Sequence, residues 1–225
     1  MIDLYCERAG PGLWAEPLNA TTNLAFFVAA WAAWSLARRA HVLSTGTWVL
    51  LALVVTVGIG SSLFHTFATT WARVLDVVPI LLFQLSYVWL YGRRVIKLGG
   101  ASAAGLLAVF VVAAYAGRQF PQTLNGSLIY APAVLVIAWL GVYHYCTQTA
   151  ARHSLLAAAA VFLVGVFFRT IDSAVCPAFP VGTHFLWHLL IPVALYLLMR
   201  SLLLGPPTSA LMTKKIPTQI LSSPA

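Results

Sequence analysis

Gly58-Ile59-Gly60-Ser61-Ser62-Leu63-Phe64-His65, with Asp76 eleven residues further on, closes one long apolar run and opens the next. It places a serine, a histidine and a carboxylate where lipid would otherwise surround the chain, and the burial cost of such groups points to function. Ser61 and His65 are four apart and share a face of a helix. Near the other end of the chain, His184-Phe185-Leu186-Trp187-His188 repeats the pattern with two histidines at i and i+4. Three imidazoles and one carboxylate, at matching ends of apolar helices, read as a metal site within a membrane.

Composition agrees with that setting. The 225 residues are 61% hydrophobic and 8% charged, with a mean hydropathy of +0.89. Soluble domains carry roughly a quarter charged residues, so the chain is expected to be an all-α integral membrane protein without a separate soluble domain. Apolar runs over 20–38, 46–67, 74–92, 100–117, 127–146, 152–169 and 183–204 each approach the ~20 residues of a spanning helix. Barrel strands would be half as long and alternate in polarity. Pro79, Pro132 and Pro192 fall inside runs, where membrane helices tolerate them as kinks.

The chain divides into an acidic amino-terminal segment (1–19), a seven-helix domain (20–204) and a polar tail (205–225) expected to lack fixed structure. The first nineteen residues contain Asp3, Glu7, Arg8 and Glu16 and no apolar stretch. They do not read as a cleavable signal peptide.

Charge orients the helices. Arg38, Arg39, Arg93, Arg94, Lys97, Arg152, Arg200, Lys214 and Lys215 fall on one side, against Arg8, Arg73, Arg118 and Arg169 on the other. The excess predicts a cytoplasmic carboxyl terminus and an outer or lumenal amino terminus. The net charge of +8 is spread singly and in pairs at helix ends, which excludes the basic stripe of a nucleic-acid binder. All five acidic residues, Asp3, Glu7, Glu16, Asp76 and Asp172, fall toward the outer side. Carboxylates contribute little to topology, so their one-sidedness points to a bound cation. Three cysteines, Cys6, Cys146 and Cys176, are too few for a disulfide framework.

In an up-and-down bundle, the end of helix two and the starts of helices three and seven reach one face. His65, Asp76, His184 and His188 therefore meet at one level. Three histidine ligands leave zinc the open position of a catalytic site, where bound water becomes acidic near neutral pH. Asp76 is placed as general base and acid, and Ser61 as a donor to a carbonyl oxygen in its transition state. His41, His144 and His153 carry no partner pattern and read as interfacial. Trp31, Trp34, Trp89, Tyr91 and Trp139 read as packing and belt residues.

These motifs resemble the alkaline ceramidase family, part of the superfamily that includes the adiponectin and progestin receptors. The Gly-x-Gly-Ser-x-x-x-His segment, the following Asp and the late His-x-x-x-His are similar to the family's motifs. So are Tyr5-Cys6-Glu7 and Ala15-Glu16-Pro17-Leu18-Asn19-Ala20-Thr21-Thr22-Asn23. The resemblance covers most of the chain. It implies a seven-helix intramembrane zinc amidase, with His65, His184 and His188 on zinc, Asp76 as acid/base and Ser61 at the carbonyl. It implies a membrane-lipid substrate, ceramide or another N-acyl lipid. The active site would face the extracytoplasmic side.

The resemblance also implies a calcium ion on the amino-terminal acids, here Asp3, Glu7 and Glu16. Ala9 and Leu4 stand where the family has Asn and Asp, and the two glutamates are closer in sequence. Finally, it implies a disulfide between Cys6 and Cys176, leaving Cys146 free. Two other classes remain at this point: a receptor-like protein that keeps the metal for structure, and a proton or cation path. A path needs buried charge in the cytoplasmic halves of the helices, which the sequence lacks. The oligomeric state is open.

Overall fold

The computed structural model describes residues 1–205, so the tail expected to lack fixed structure lies, from 206 onward, outside the described residues. Every regular element among the described residues is helical. Seven segments are long and apolar enough to cross a membrane, as the seven hydrophobic runs predict. The first combines a short α1 (Pro17–Thr22) with α2 (Leu24–Arg39). Then come α3 (Thr45–Phe67), α4 (Thr70–Tyr91), α5 (Gly100–Arg118), α6 (Ala131–Thr147), α7 (Ser154–Val175) and α8 (His184–Leu203). From α2 onward each helix packs on its chain neighbour, and α8 returns against α2 to close the ring.

The α3–α4 turn sets the depth of the motif residues. Ala68 takes a left-handed conformation (φ 49°) and Thr69 is extended, so α4 starts at Thr70, four residues before the apolar run. Ser61 is six residues from the end of α3 and Asp76 six from the start of α4. At 1.5 Å per residue both lie about 9 Å into the bundle, at one level. Gly60 makes this close approach possible. A Cβ there would overlap the Leu75 carbonyl, so only glycine lets the two backbones touch.

The three proline readings divide. Pro79 and Pro192 sit inside α4 and α8. Pro132, expected as a kink, instead occupies the first turn of α6, where its missing N–H leaves no hydrogen bond unmade. It follows a 3-10 stretch, Thr123–Tyr130, broken by positive φ at Leu124, Asn125 and Gly126.

The core runs along the facing sides of α2, α3, α4, α7 and α8, through Phe26, Leu50, Phe83, Tyr87, Ile191 and Met199. Large apolar residues such as Val109, Leu135, Trp139 and Phe167 point outward, the surface that lipid covers. In the half away from the motif residues, Tyr87 Oη lies 2.7 Å from Ser201 Oγ and Tyr91 Oη 2.7 Å from His144 Nδ1. His144 is thus buried and hydrogen-bonded, not interfacial, and Tyr91 is core rather than belt. Their pairing spans 53 residues, a partner that local spacing does not reveal.

Candidate metal centre

His65 lies near the end of α3, His184 opens α8 and His188 is one turn further along it. One ring nitrogen from each lies within 4.8 Å of the others. All three side chains are buried. The rings are packed edge to face or tilted, with His65–His188 and His184–His188 centroids each 4.6 Å apart. His65 Nε2 and His184 Nδ1 are buried and have no hydrogen-bond partner. Buried polar atoms are almost always satisfied, so two unpaired nitrogens inside one triad fit a cation between them. Thr22 Oγ1 lies 3.3 Å from His188 Nδ1. This is the only cluster of three or more His, Cys, Asp or Glu ligand atoms among the described residues.

Ser61 and Asp76 stand beside the triad. Gly60 touches the Leu75–Asp76 backbone, which sets Ser61 and Asp76, the next residue on one helix and the facing residue on the other, side by side, with the charges of His65, Arg169 and Arg73 acting on the carboxyl. The tight α3–α4 crossing at Gly60 brings the serine and the carboxylate together.

The amino-terminal segment forms a strap across the helix ends. The Ile2 N–H donates to the Ala68 carbonyl at 2.7 Å. Cys6 and Cys176 form a disulfide with Cα atoms 5.4 Å apart; Cys146 is free. The Tyr5 ring lies flat on His184, centroids 3.5 Å apart and planes within 8°. Burial pushes the Tyr5 phenol above its ordinary pKa, which keeps that hydroxyl protonated.

Glu16 links strap to triad. One oxygen lies 2.5 Å from His65 Nδ1 and accepts from Asn19 Nδ2 at 3.1 Å. The other accepts from Arg8 Nε at 2.5 Å. Burial alone would raise the Glu16 pKa, but the bond and charge of His65, with the bonds from Arg8 and Asn19, outweigh it and hold the pKa below the usual carboxylate value. A carboxylate on Nδ1 leaves Nε2 as the nitrogen free for a metal, an arrangement common around metal-bound histidines.

Asp3, Glu7 and Glu16 do not converge as calcium ligands. Asp3 is exposed. Both Glu7 oxygens accept backbone N–H bonds at the start of α1, from Leu18 at 2.6 Å and Asn19 at 2.7 Å. Glu16 carries the buried Arg8 guanidinium, whose Nη2 also donates to the His65 carbonyl at 2.9 Å. Calcium takes 6–8 oxygen ligands, and here a positive side chain stands against the one buried carboxylate. The calcium expected on Asp3, Glu7 and Glu16 therefore does not fit this arrangement.

Asp172 lies at the triad end, where the one-sided acids are expected, but backbone donors rather than a cation hold it. It is fully buried, yet its oxygens accept from backbone N–H groups of Cys6 (3.0 Å), Thr183 (2.6 Å) and His184 (2.9 Å). It caps the start of α8, which has no side-chain cap of its own, and so fixes where His184 begins. Gly182 (φ +69°) lets the loop pass, because a Cβ there would meet Asp172 and Cys6. Asp172 has no local sequence signal beyond a charge placed near an apolar run, and Arg8, in the polar amino-terminal segment, has none.

A family model described as Ceramidase matches residues 5–205. No curated protein matches the chain.

Proposed function

The chain belongs to the ceramidase family, and on that footing we propose that it is a membrane-embedded, zinc-dependent amidase. It would cleave the N-acyl bond of ceramide or a ceramide-like lipid, giving a fatty acid and a sphingoid base. The observation that carries the reading is the buried triad of His65, His184 and His188, one ring nitrogen of each within 4.8 Å of the others and two of its nitrogens without a hydrogen-bond partner. Three imidazoles without a thiolate are the donor set of a zinc site that keeps a position open for chemistry. Zinc bound there supplies Lewis acidity and water ionisable near pH 7.

The remaining tasks fall to the protein's own groups. Glu16 holds the His65 ring in orientation through Nδ1. Asp76 takes the proton of the attacking water and returns it to the departing amine nitrogen. Ser61, beside Asp76, donates its hydroxyl to the acyl oxygen as negative charge develops there. Tyr5 and the strap cover the triad and keep bulk water from it. The apolar helix surfaces admit the two lipid chains from the side.

The side of the membrane is part of the proposal. Among the described residues, seven Lys and Arg at the ends away from the triad, against four on its side, support an extracytoplasmic site. A disulfide on that face suits an oxidising compartment.

The experiment is direct. Purified protein incubated with N-acylsphingosine should release fatty acid and sphingosine, measured by mass spectrometry, and lose the activity when a zinc chelator strips the metal. Absence of turnover in zinc-loaded protein with ceramide and other N-acyl lipids would overturn the reading.

A further inference from the structure

Four arginines lie on the face that carries the triad, the side the positive-inside rule leaves poor in them. Arg8 is closed off with Glu16. The other three, Arg73 of α4, Arg118 of α5 and Arg169 of α7, come from separate helices and line one cavity of about 520 Å³. No carboxylate lines it. Arg169 is fixed: its Nη1 donates to the Asn125 carbonyl (3.1 Å) and to Ser127 Oγ (2.7 Å), and its guanidinium lies 5.4 Å from the Tyr130 ring centroid. The side chains of Arg73 and Arg118 make no hydrogen bond or ion pair among the described residues.

Gathering three guanidinium groups around one space is unfavourable through mutual repulsion. Asp76 acts on Arg73 and Arg169 from outside the wall, one negative charge against three, and no group within the wall neutralises the remainder. An anion would. Guanidinium groups bind phosphate and related oxyanions through paired N–H donors. The wall also includes Val74, Val77, Val78 and Ile129, so apolar and cationic groups line the same space, as they do where a protein meets a lipid headgroup. Tyr5 belongs both to this wall and to the stack on His184, which puts the cavity next to the candidate metal centre.

We propose that the Arg73–Arg118–Arg169 cavity binds a lipid phosphate or similar oxyanion headgroup. Its use to select an N-acyl substrate rests on the amidase reading; the binding itself stands on the cavity alone. The two sources of such a group are the substrate's own headgroup and a phospholipid of the surrounding bilayer.

Binding is tested in neutral maltoside micelles by thermal shift with dodecyl phosphate, with dodecyltrimethylammonium as the charge-reversed control. The expected result is a saturable rise in Tm with the phosphate alone, lost in the Arg73→Gln/Arg118→Gln double variant. No shift, or an undiminished shift in the double variant, overturns the proposal. Because both arginines are exposed, the double variant should fold, and its unliganded Tm reports that it does.

Kinetics then identifies the source. A kcat/KM at least ten-fold higher for ceramide 1-phosphate than for ceramide of the same chain length, falling toward equality in the double variant, assigns the site to substrate. Equal values, together with loss of the dodecyl phosphate shift when phosphatidylglycerol is added, assign it to bilayer lipid. Hydrolysis of neither lipid by zinc-loaded protein would sink the amidase reading while leaving the binding result in force.

Discussion

The Glu16 carboxylate crosses from the amino-terminal strap to Nδ1 of His65 at 2.5 Å. The pair spans 49 residues and ties the ring orientation of one triad member to a segment outside the helical bundle. Removing that carboxylate should weaken metal binding without touching a ligand. Glu16→Gln is expected to lower zinc affinity about 10- to 100-fold, read by competition with a calibrated chelator. Unchanged affinity would show that Glu16 does not orient the centre.

Arg8 should matter for stability. It is a buried cation on a buried carboxylate, and deleting one partner of such a pair typically costs about 3–5 kcal/mol. Arg8→Ala should therefore unfold at markedly lower temperature in detergent. With the guanidinium in place, a calcium-selective chelator should leave lipid hydrolysis and Tm unaltered in the natural chain. A saturable Tm rise with micromolar calcium would contradict this.

The triad and its neighbours separate metal binding from proton transfer. His188→Ala should lose stoichiometric zinc. Asp76→Asn should keep zinc, by metal analysis, and lose about 10²- to 10⁴-fold in kcat. Ser61→Ala should keep zinc and fall about 10²- to 10³-fold, the range for a single oxyanion donor. Full turnover by Asp76→Asn would reassign the proton carrier.

The Cys6–Cys176 bridge closes a loop of 170 residues, and its loss should cost about 2–5 kcal/mol. In non-reduced protein only Cys146, which is exposed and free, should take up an alkylating reagent under denaturing conditions. Labelling of Cys6 or Cys176 before reduction would mean that the bridge does not form.

Much of this was readable from the chain. Hydropathy is a local property, and a bilayer requires each crossing segment to satisfy its own backbone, so seven apolar runs sufficed to specify seven helices. The i, i+4 spacing put Ser61 with His65 and His184 with His188, and up-and-down topology brought the two pairs to one end. Local reading misplaced Pro132 and His144 because a first-turn proline and a buried histidine look, in sequence, like a kink and an interfacial residue.

The partners of the buried charges came only from the fold. The family resemblance implies Glu16 as a calcium ligand, and the sequence reads Asp172 as one more outer acid. In three dimensions Glu16 is the brace of His65, Arg8 is the cation beside it, and Asp172 is the cap that starts α8. Arg73, Arg118 and Arg169, scattered over nearly a hundred residues, gather on one cavity. Desolvation makes the nearest available counter-charge or N–H decisive for a buried group, and which one is nearest depends on packing between distant segments, which no local spacing encodes.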